Sequence, residues 1–130
     1  MGKMIKMRCD KCDYEERLFL GCGKNSCNQR IIEMTLKDND LEEWHRLIDT
    51  GRIVSFQSEN LLTECPQCNE LQNLYQVTLI DDKNDRHVIK PVCKKCKTVT
   101  KVIDNWEKAK ISCPKCKKGV MISEFEGYWD

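Results

Sequence analysis

The sequence contains no long hydrophobic run. No stretch approaches the roughly 20 apolar residues that a transmembrane helix requires. The start, MGKMIKMRCDKC, also lacks an apolar segment long enough for a secretory signal peptide. We therefore expect a protein of the cytoplasm that has no membrane anchor.

The common signatures of catalysis are missing as well. The chain has no glycine-rich phosphate-binding loop, no Ser-His-Asp set and no pair of carboxylates beside an obvious nucleophile. Its two histidines are His45, beside the apolar stripe of a predicted helix, and His87, at the start of a predicted strand. Both positions favour partly exposed side chains over metal ligands. We therefore expect no enzymatic activity.

The apolar content is too small for a large core. Of 130 residues, 40% are hydrophobic and 33% are charged, which suits one domain or two very small ones. Small domains of this kind usually need disulfides or a metal. The ten cysteines can provide this stabilisation, and eight of them form four Cys-x-x-Cys pairs. The pairs are Cys9/Cys12, Cys65/Cys68, Cys93/Cys96 and Cys113/Cys116.

The uniform spacing of these pairs favours metal over disulfides. Two of the pairs contain Pro, and a repeated two-residue spacing is typical of a metal knuckle rather than of an irregular disulfide framework. Each pair offers two thiolates, which is half of a tetrahedral zinc site. The sequence therefore predicts two structural Zn²⁺ ions, each bound by four cysteines, in a reduced protein.

The pairing of the four halves is open. We expect a sequential pairing of the first pair with the second and the third with the fourth, because the last four cysteines have the spacing C-x2-C-x16-C-x2-C. In a nested alternative, the second pair joins the third and the first joins the fourth. In a crossed alternative, the first joins the third and the second joins the fourth.

Two of the knuckles resemble those of the zinc-ribbon superfamily. The segments are ECPQC at 64–68 and SCPKC at 112–116, and the similarity covers residues 93–122 and 65–80. The opening RCDKCDYEERLFLG is also similar to small uncharacterised bacterial proteins with several such pairs. The resemblance implies metal-bound β-rich lobes and no particular activity. Unlike many ribbons, this chain has no Gly after the second cysteine of a pair, where Asp13, Asn69, Lys97 and Lys117 stand instead.

One helix is predicted clearly by its pattern. Apolar residues recur at spacings of three and four over 41–50. They are Leu41, Trp44, Leu47 and Ile48. Asp40 and Glu43 form a candidate capping box before this stripe, and Gly51 is a suitable stop. A second, short helix is expected over 29–36.

The remaining elements are expected to be strands. We predict strands over 14–20 and 53–56, a hairpin formed by 71–80 and 86–92, and a roughly alternating tail after residue 119. The expected fold is a small metal-stabilised α+β protein with two zinc-ribbon-like β lobes. The first lobe would span 1–82 with a helical insertion at about 29–50, and the second, basic lobe would span 83–130.

Charge is distributed unevenly, although the formal net charge is only +1. Residues 37–82 have a net charge of −7 and residues 83–118 have +9. Lysines can neutralise phosphates and an aromatic ring can stack on a base, so the basic segment is our candidate contact with nucleic acid or a nucleic-acid machine. Its residues are Lys94, Lys95, Lys97, Lys101, Trp106, Lys115, Lys117 and Lys118. A solvated lysine-rich face that offsets thiolate charge is an equally simple interpretation.

Two other functions remain open. The acidic and basic segments, or the aromatic residues near the C-terminus, could bind a protein partner, which would make the chain an interaction adaptor. Cys22 and Cys27 lie outside the Cys-x-x-Cys pairs in a Gly- and Asn-rich loop. They could be simple loop thiols, alternative ligands or the basis of a thiol redox sensor.

Overall fold

The structure, a computed structural model, describes residues 2–23 and 26–129. Seven strands and two helices lie within those residues. In chain order they are β1 (Gly2–Cys9), β2 (Glu15–Leu20), α1 (Gln29–Thr35), α2 (Asp38–Asp49), β3 (Ile53–Glu64), β4 (Leu71–Asp81), β5 (Arg86–Ile89), β6 (Lys101–Val102) and β7 (Met121–Trp129). Within the described ranges, neither helix has the length and apolar content to cross a membrane.

The first sheet joins the two ends of the chain. Its strand order is β2-β1-β7, and both pairings are antiparallel. The register places Cys9 opposite Met121, so the start of β7 lies beside the first knuckle. In β1, Ile5 and Met7 are buried while Lys6 and Arg8 alternate with them, which is the pattern of a strand with one covered face.

The second sheet contains the long β3–β4 hairpin. Its order is β5-β4-β3-β6, and every pairing is antiparallel. At the β4–β5 turn, the Asp81 carboxylate is paired with His87 Nε2 at 3.0 Å and accepts hydrogen bonds from the backbone of Lys83 and Asp85. The hydrogen bond with His87 and those backbone contacts lower the pKa of Asp81 to about 2.

Core 1 lies between the two sheets and includes cysteine side chains. It consists of Ile5, Met7, Cys9, Leu18, Leu20, Leu62, Leu71, Ile111, Cys113 and Met121. Gly21 and Asn60 link the sheets by two backbone hydrogen bonds of 2.8 and 2.9 Å. Because Leu62 and Leu71 belong to the second sheet, both sheets contribute to one core.

Core 2 forms where the helices cover the second sheet. It consists of Ile32, Leu36, Trp44, Leu47, Val77, Leu79 and Ile89. Trp44 is fully buried, packs edge-on against Phe56 and donates from Nε1 to the Glu33 carboxylate at 3.0 Å. A buried indole N–H needs such a partner, so this hydrogen bond ties α1 to α2.

Both predicted helices are present, but the second begins earlier than predicted. The short helix is α1, which is capped by the Asn28 side chain accepting from Ile31 N. The longer helix begins at Asp38 rather than after Asp40, so the predicted Asp40/Glu43 capping box is wrong. Lys37 is the N-cap and makes no side-chain capping hydrogen bond. Gly51 has φ of +70°, consistent with the predicted stop.

The small α+β class is confirmed, but the expected arrangement needs correction. The helical segment is not enclosed by a ribbon built from the first two knuckles, because the helices pack on Val77, Leu79 and Ile89 of the second sheet. The division into units 1–82 and 83–130 stays a prediction. Hydrogen-bonded strand pairs of both sheets join residues from either side of position 82.

Candidate metal centres

The structure brings the eight paired cysteines into two groups of four. Within each group, the four sulfur atoms lie within 4.8 Å of one another. Centre 1 is formed by Cys9, Cys12, Cys113 and Cys116, and centre 2 by Cys65, Cys68, Cys93 and Cys96. This is the nested arrangement, so the expected sequential pairing is wrong. The pairing of β1 with β7 brings the first and last knuckles together, and β3 and β4 hold the second beside the third.

The sulfur spacing matches a tetrahedral metal site. The nearest Sγ–Sγ distances across centre 1 are 3.6 Å for both Cys9–Cys116 and Cys12–Cys113. In centre 2 they are 3.5 Å for Cys65–Cys96 and 4.0 Å for the Cys68–Cys93 contact. A tetrahedron with metal–sulfur bonds of about 2.3 Å has sulfur–sulfur edges of about 3.8 Å. None of the ten cysteines, all of which lie in the described parts of the chain, forms a disulfide bond.

Backbone N–H groups point at the sulfurs, as a thiolate site requires. In three of the four knuckles, the backbone N–H of the second cysteine donates to the sulfur of the first at an N–Sγ distance of 3.2–3.5 Å. These are Cys12 N to Cys9 Sγ, Cys68 N to Cys65 Sγ and Cys116 N to Cys113 Sγ. In the remaining knuckle, Lys95 N donates to Cys93 Sγ at 3.4 Å. Such donors stabilise negative charge on sulfur and hold the side chain in place.

Three knuckles close with a residue in the left-handed backbone region. Asn69, Lys97 and Lys117 have φ of 58°, 63° and 61°, and each donates its backbone N–H to the carbonyl of the first cysteine. Asn adopts this conformation readily, whereas Lys does so at a cost of about 1–2 kcal/mol. The turn geometry that Gly usually supplies is therefore formed here without Gly.

Centre 1 is built into core 1. Cys9 and Cys113 are buried, while Cys12 and Cys116 are half-buried and pack against the same core. Gly119 lies directly against this centre, where an added Cβ would overlap Cys9 Sγ and crowd the Asp10 carboxylate. The Gly119 N–H also donates to Cys116 Sγ at 3.4 Å. A side chain at 119 would therefore displace the Cys9 sulfur, a candidate ligand.

Centre 2 is more open and has side-chain neighbours. Cys96 is exposed, although Cys65 and Cys93 are buried. Gln72 Nε2 donates to Cys93 Sγ at 3.1 Å, and its Oε1 accepts from Lys94 N. The Thr98 hydroxyl lies 3.2 Å from Cys96 Sγ. These groups orient the ligands, as outer-shell partners of metal sites commonly do.

Hydrogen bonding divides the cysteine thiols of the two centres into two types. The backbone N–H groups of Cys96 and Lys95 lower the pKa of Cys93 to about 6, and those of Lys118 and Gly119 lower the pKa of Cys116 to about 6. Its contact with Cys96, together with burial, raises the pKa of Cys68 to about 12. Four crowded sulfurs cannot all be ionised without a cation, which is the electrostatic demand that a bound metal meets.

The predicted contact lysines fall into two groups, one at each centre. Lys94, Lys95 and Lys97 belong to the third knuckle in centre 2, whereas Lys115, Lys117 and Lys118 flank the fourth knuckle in centre 1. All six are exposed.

Some of the residues predicted to contact nucleic acid already form ion pairs or pack against the core. Lys95 pairs with Glu70, and Lys115 Nζ lies 2.8 Å from the Asp13 carboxylate. Lys101 lies in β6, while Trp106 is half-buried against core 1.

The remaining candidate ligands lie outside both centres. Cys22 Sγ accepts from Gln57 Nε2 at 2.7 Å and contacts the Ser58 carbonyl, while Cys27 is exposed. Neither joins a four-sulfur group among the described residues. His45 is exposed on α2, and His87 is paired with Asp81.

Sequence reasoning missed three residues that shape the centres: Gln72, Thr98 and Gly119. Thr98 follows its knuckle by two residues and Gly119 follows by three, so proximity along the chain was an available signal for these two. Gln72 reaches Cys93 from β4, and only the pairing of the second and third knuckles brings it there.

No protein family model, curated protein or solved structure matches this chain.

Proposed function

We propose that the chain is a zinc protein without catalytic activity, in which two structural Zn²⁺ ions hold a small binding module together. The observation that supports it best is the convergence of eight cysteines into two groups with near-tetrahedral sulfur spacing. Four thiolates leave no open coordination position for water or substrate, unlike the three-ligand shell of a catalytic zinc site.

A four-sulfur tetrahedron also suits iron, so the metal must be measured. Protein expressed in medium containing zinc and iron is expected to carry two zinc ions per chain by elemental analysis and native mass spectrometry. A chain purified with iron, with its visible absorption, would contradict the assignment of zinc. A chain with one metal or none would contradict two structural sites.

The charge of the loaded protein bears on its partners. Each Zn²⁺ with four thiolates carries −2, so the formal +1 becomes about −3 with both ions bound. The knuckle lysines therefore first offset their own centres. Lys94, Lys97, Lys117 and Lys118 are exposed and form no ion pair with another described residue, which leaves them available to phosphates.

Contact with nucleic acid through these lysines is our proposal for the partner. It predicts binding of single-stranded RNA or DNA that weakens steeply with salt. Replacing Lys94 and Lys97 by Glu should abolish binding, while the matched change of Lys83, which lies at the β4–β5 turn, should have little effect. If no binding is measured at low salt, the proposal fails.

A protein-interaction role is the second candidate, favoured by an exposed aromatic pair on β7. Phe125 and Tyr128 pack edge-on with ring centroids 5.1 Å apart and are 58% and 62% exposed. Trp129, in contrast, is fixed by its Nε1 hydrogen bond to the Leu20 carbonyl. This role predicts that a partner protein co-purifies with the chain after nuclease treatment. Replacing Phe125 and Tyr128 by Ser should abolish that co-purification.

A further inference from the structure

A cavity of about 280 Å³ lies between the two sheets and is separate from both sets of metal ligands. Its apolar lining comes from the Leu20, Leu62 and Ile103 side chains, with the half-buried Trp106 beside them. The volume is just below the range of about 300–1,000 Å³ that is usual for sites of drug-sized ligands. The space therefore suits one small molecule or a single side chain.

Asn60 provides a buried polar group at this cavity. It lines the space and is 8% exposed. Leu62, two residues further along β3, belongs to core 1, so Asn60 projects from the same inner face of the strand. The backbone of Asn60 is used in the link to Gly21.

The Asn60 amide is available to a ligand. Its side chain makes no hydrogen bond with another residue in the described parts of the chain. No polar side-chain atom in those parts is both fully enclosed and unpaired. The amide atoms are therefore not fully enclosed, and because Asn60 lines the cavity, a ligand or water there can satisfy them.

The charges around the cavity are predominantly negative. Asp104 and Glu107 supply two carboxylates to the lining, against one ammonium from Lys3, while the exposed Glu59 side chain projects from the opposite face of β3 to Asn60. Lys3 Nζ lies 3.8 Å from Glu107 Oε1, and both side chains are more than half exposed. This ion pair leaves the Asp104 carboxylate without a cation among the described residues that line the cavity.

We propose that the cavity binds an ammonium or guanidinium group carried on a short aliphatic stem. The carboxylates attract the cation, the Asn60 amide oxygen accepts one of its N–H groups, and the stem lies along the apolar lining. The Trp106 ring adds an aromatic surface that favours cations. A free alkyl amine and a lysine or arginine side chain of a peptide present this same chemistry.

The test uses the full-length, ¹⁵N-labelled and metal-loaded protein in NMR titrations. The probes are 1,4-diaminobutane, the peptide acetyl-Gly-Arg-Gly-amide and the uncharged 1-butanol. We expect one or both cations to shift the Trp106 indole and Asn60 side-chain amide signals saturably, with affinity that falls as salt rises. Preference for the amine or for the peptide identifies the source of the cation. Absence of saturable shifts with both cations, or equal binding of 1-butanol, would overturn the proposal.

Variants separate electrostatic recognition from nonspecific association. The double change Asp104→Asn and Glu107→Gln should weaken the cation about tenfold, since each partly exposed charge pair contributes up to about a factor of five. Lys3→Gln should strengthen binding by removing the competing ammonium. Glu42→Gln, on the exposed face of α2, is the matched control and should change nothing. Unchanged affinity in the double variant would contradict the proposal.

Asn60→Leu tests the buried amide. This change should abolish cation binding while keeping or raising the melting temperature, because an apolar side chain replaces an unpaired amide. If this variant does not fold, the charge variants still decide the question. Wild-type affinity in a folded Asn60→Leu protein would show that the amide is not part of the site.

Discussion

At the scale of single residues, centre 1 depends on the absence of a side chain at Gly119. A Cβ at that position would overlap Cys9 Sγ, which is itself buried in core 1. We expect Gly119→Ala to lose one of two metal ions and to lower the melting temperature. Metal content by native mass spectrometry checks this result. The neighbouring change Lys118→Ala is the control and should keep both ions; retention of both by Gly119→Ala would contradict the geometry of centre 1.

Lys97 tests the closing turn of a knuckle. Lys97 has a φ of 63°, a backbone conformation that is strained for Lys but not for Gly. In the opposite direction, Gly raises the conformational entropy of the unfolded chain, which lowers the stability of the folded state. The net effect expected for Lys97→Gly is stabilisation by about 0.5–1 kcal/mol with both metals retained. Thermal or denaturant unfolding of the metal-loaded protein measures the difference.

The control for Lys97→Gly is Lys94→Gly in the same knuckle. Lys94 is not in the left-handed region, so only the entropic cost applies and the variant should lose about 0.4–1 kcal/mol. Equal effects of the two substitutions would show that backbone strain at Lys97 is absent.

The eight candidate ligands could be predicted from the sequence because a Cys-x-x-Cys pair is a local signal. Residues two or three positions beyond a knuckle, such as Thr98 and Gly119, lie within reach of the same local reasoning. Gln72 does not, since its contact with Cys93 depends on which knuckles meet. The burial of Asn60 also could not be predicted from the sequence, because it results from the packing of the two sheets.

At the scale of elements, α2 packs core 2 and contributes no metal ligand. Leu47 lies on the inner face of α2, and its side chain is only 4% exposed. A large-to-small substitution at such a position lowers the free energy of unfolding by about 2–5 kcal/mol. We expect Leu47→Ala to reduce stability by that amount while metal content stays at two ions. Chemical unfolding and elemental analysis measure the two quantities.

The exposed His45 on the same helix provides the control. His45→Ala should change stability by no more than about 0.5 kcal/mol. Loss of a metal ion in a folded Leu47→Ala protein would contradict the separation of core 2 from the centres.

The stripe of α2 was predictable because spacings of three and four identify one buried face. The start of α2 could not be predicted in this way, because Asp40 and Glu43 match a capping box. The helix instead begins at Asp38, without a capping box. Strand β1 was missed although Ile5, Met7 and Cys9 alternate with basic residues. The basic residues of this segment belong to that alternation, and its period of two was the available signal.

At the scale of the whole molecule, the nested pairing was beyond sequence reasoning because all four knuckles offer the same ligands. The expected sequential pairing rested on short spacing, yet loop closure depends only logarithmically on length. The nested pairing joins Cys9 to Cys116 and Cys65 to Cys96, which are 107 and 31 residues apart. The sequential pairing would join Cys9 to Cys68 and Cys93 to Cys116, which are 59 and 23 residues apart. That difference is worth about 1 kcal/mol, which the β1–β7 pairing and core 1 readily outweigh.

The two centres should differ in lability. Centre 2 has the exposed Cys96, whereas every ligand of centre 1 is buried or half-buried. A chelator should therefore remove the metal of centre 2 first, and alkylation during removal should label Cys96 before Cys116. Simultaneous loss of both ions would show that the centres unfold as one unit.

The nested arrangement is tested most directly by Cys116→Ser with cysteine alkylation mapped by mass spectrometry in native, metal-loaded protein. The variant should bind one metal ion instead of two, and Cys12, with its neighbour Cys9, should become reactive while Cys93 and Cys96 remain as protected as in the wild type. Newly reactive Cys93 and Cys96, with Cys9 and Cys12 still protected, would establish the sequential pairing and contradict the structure.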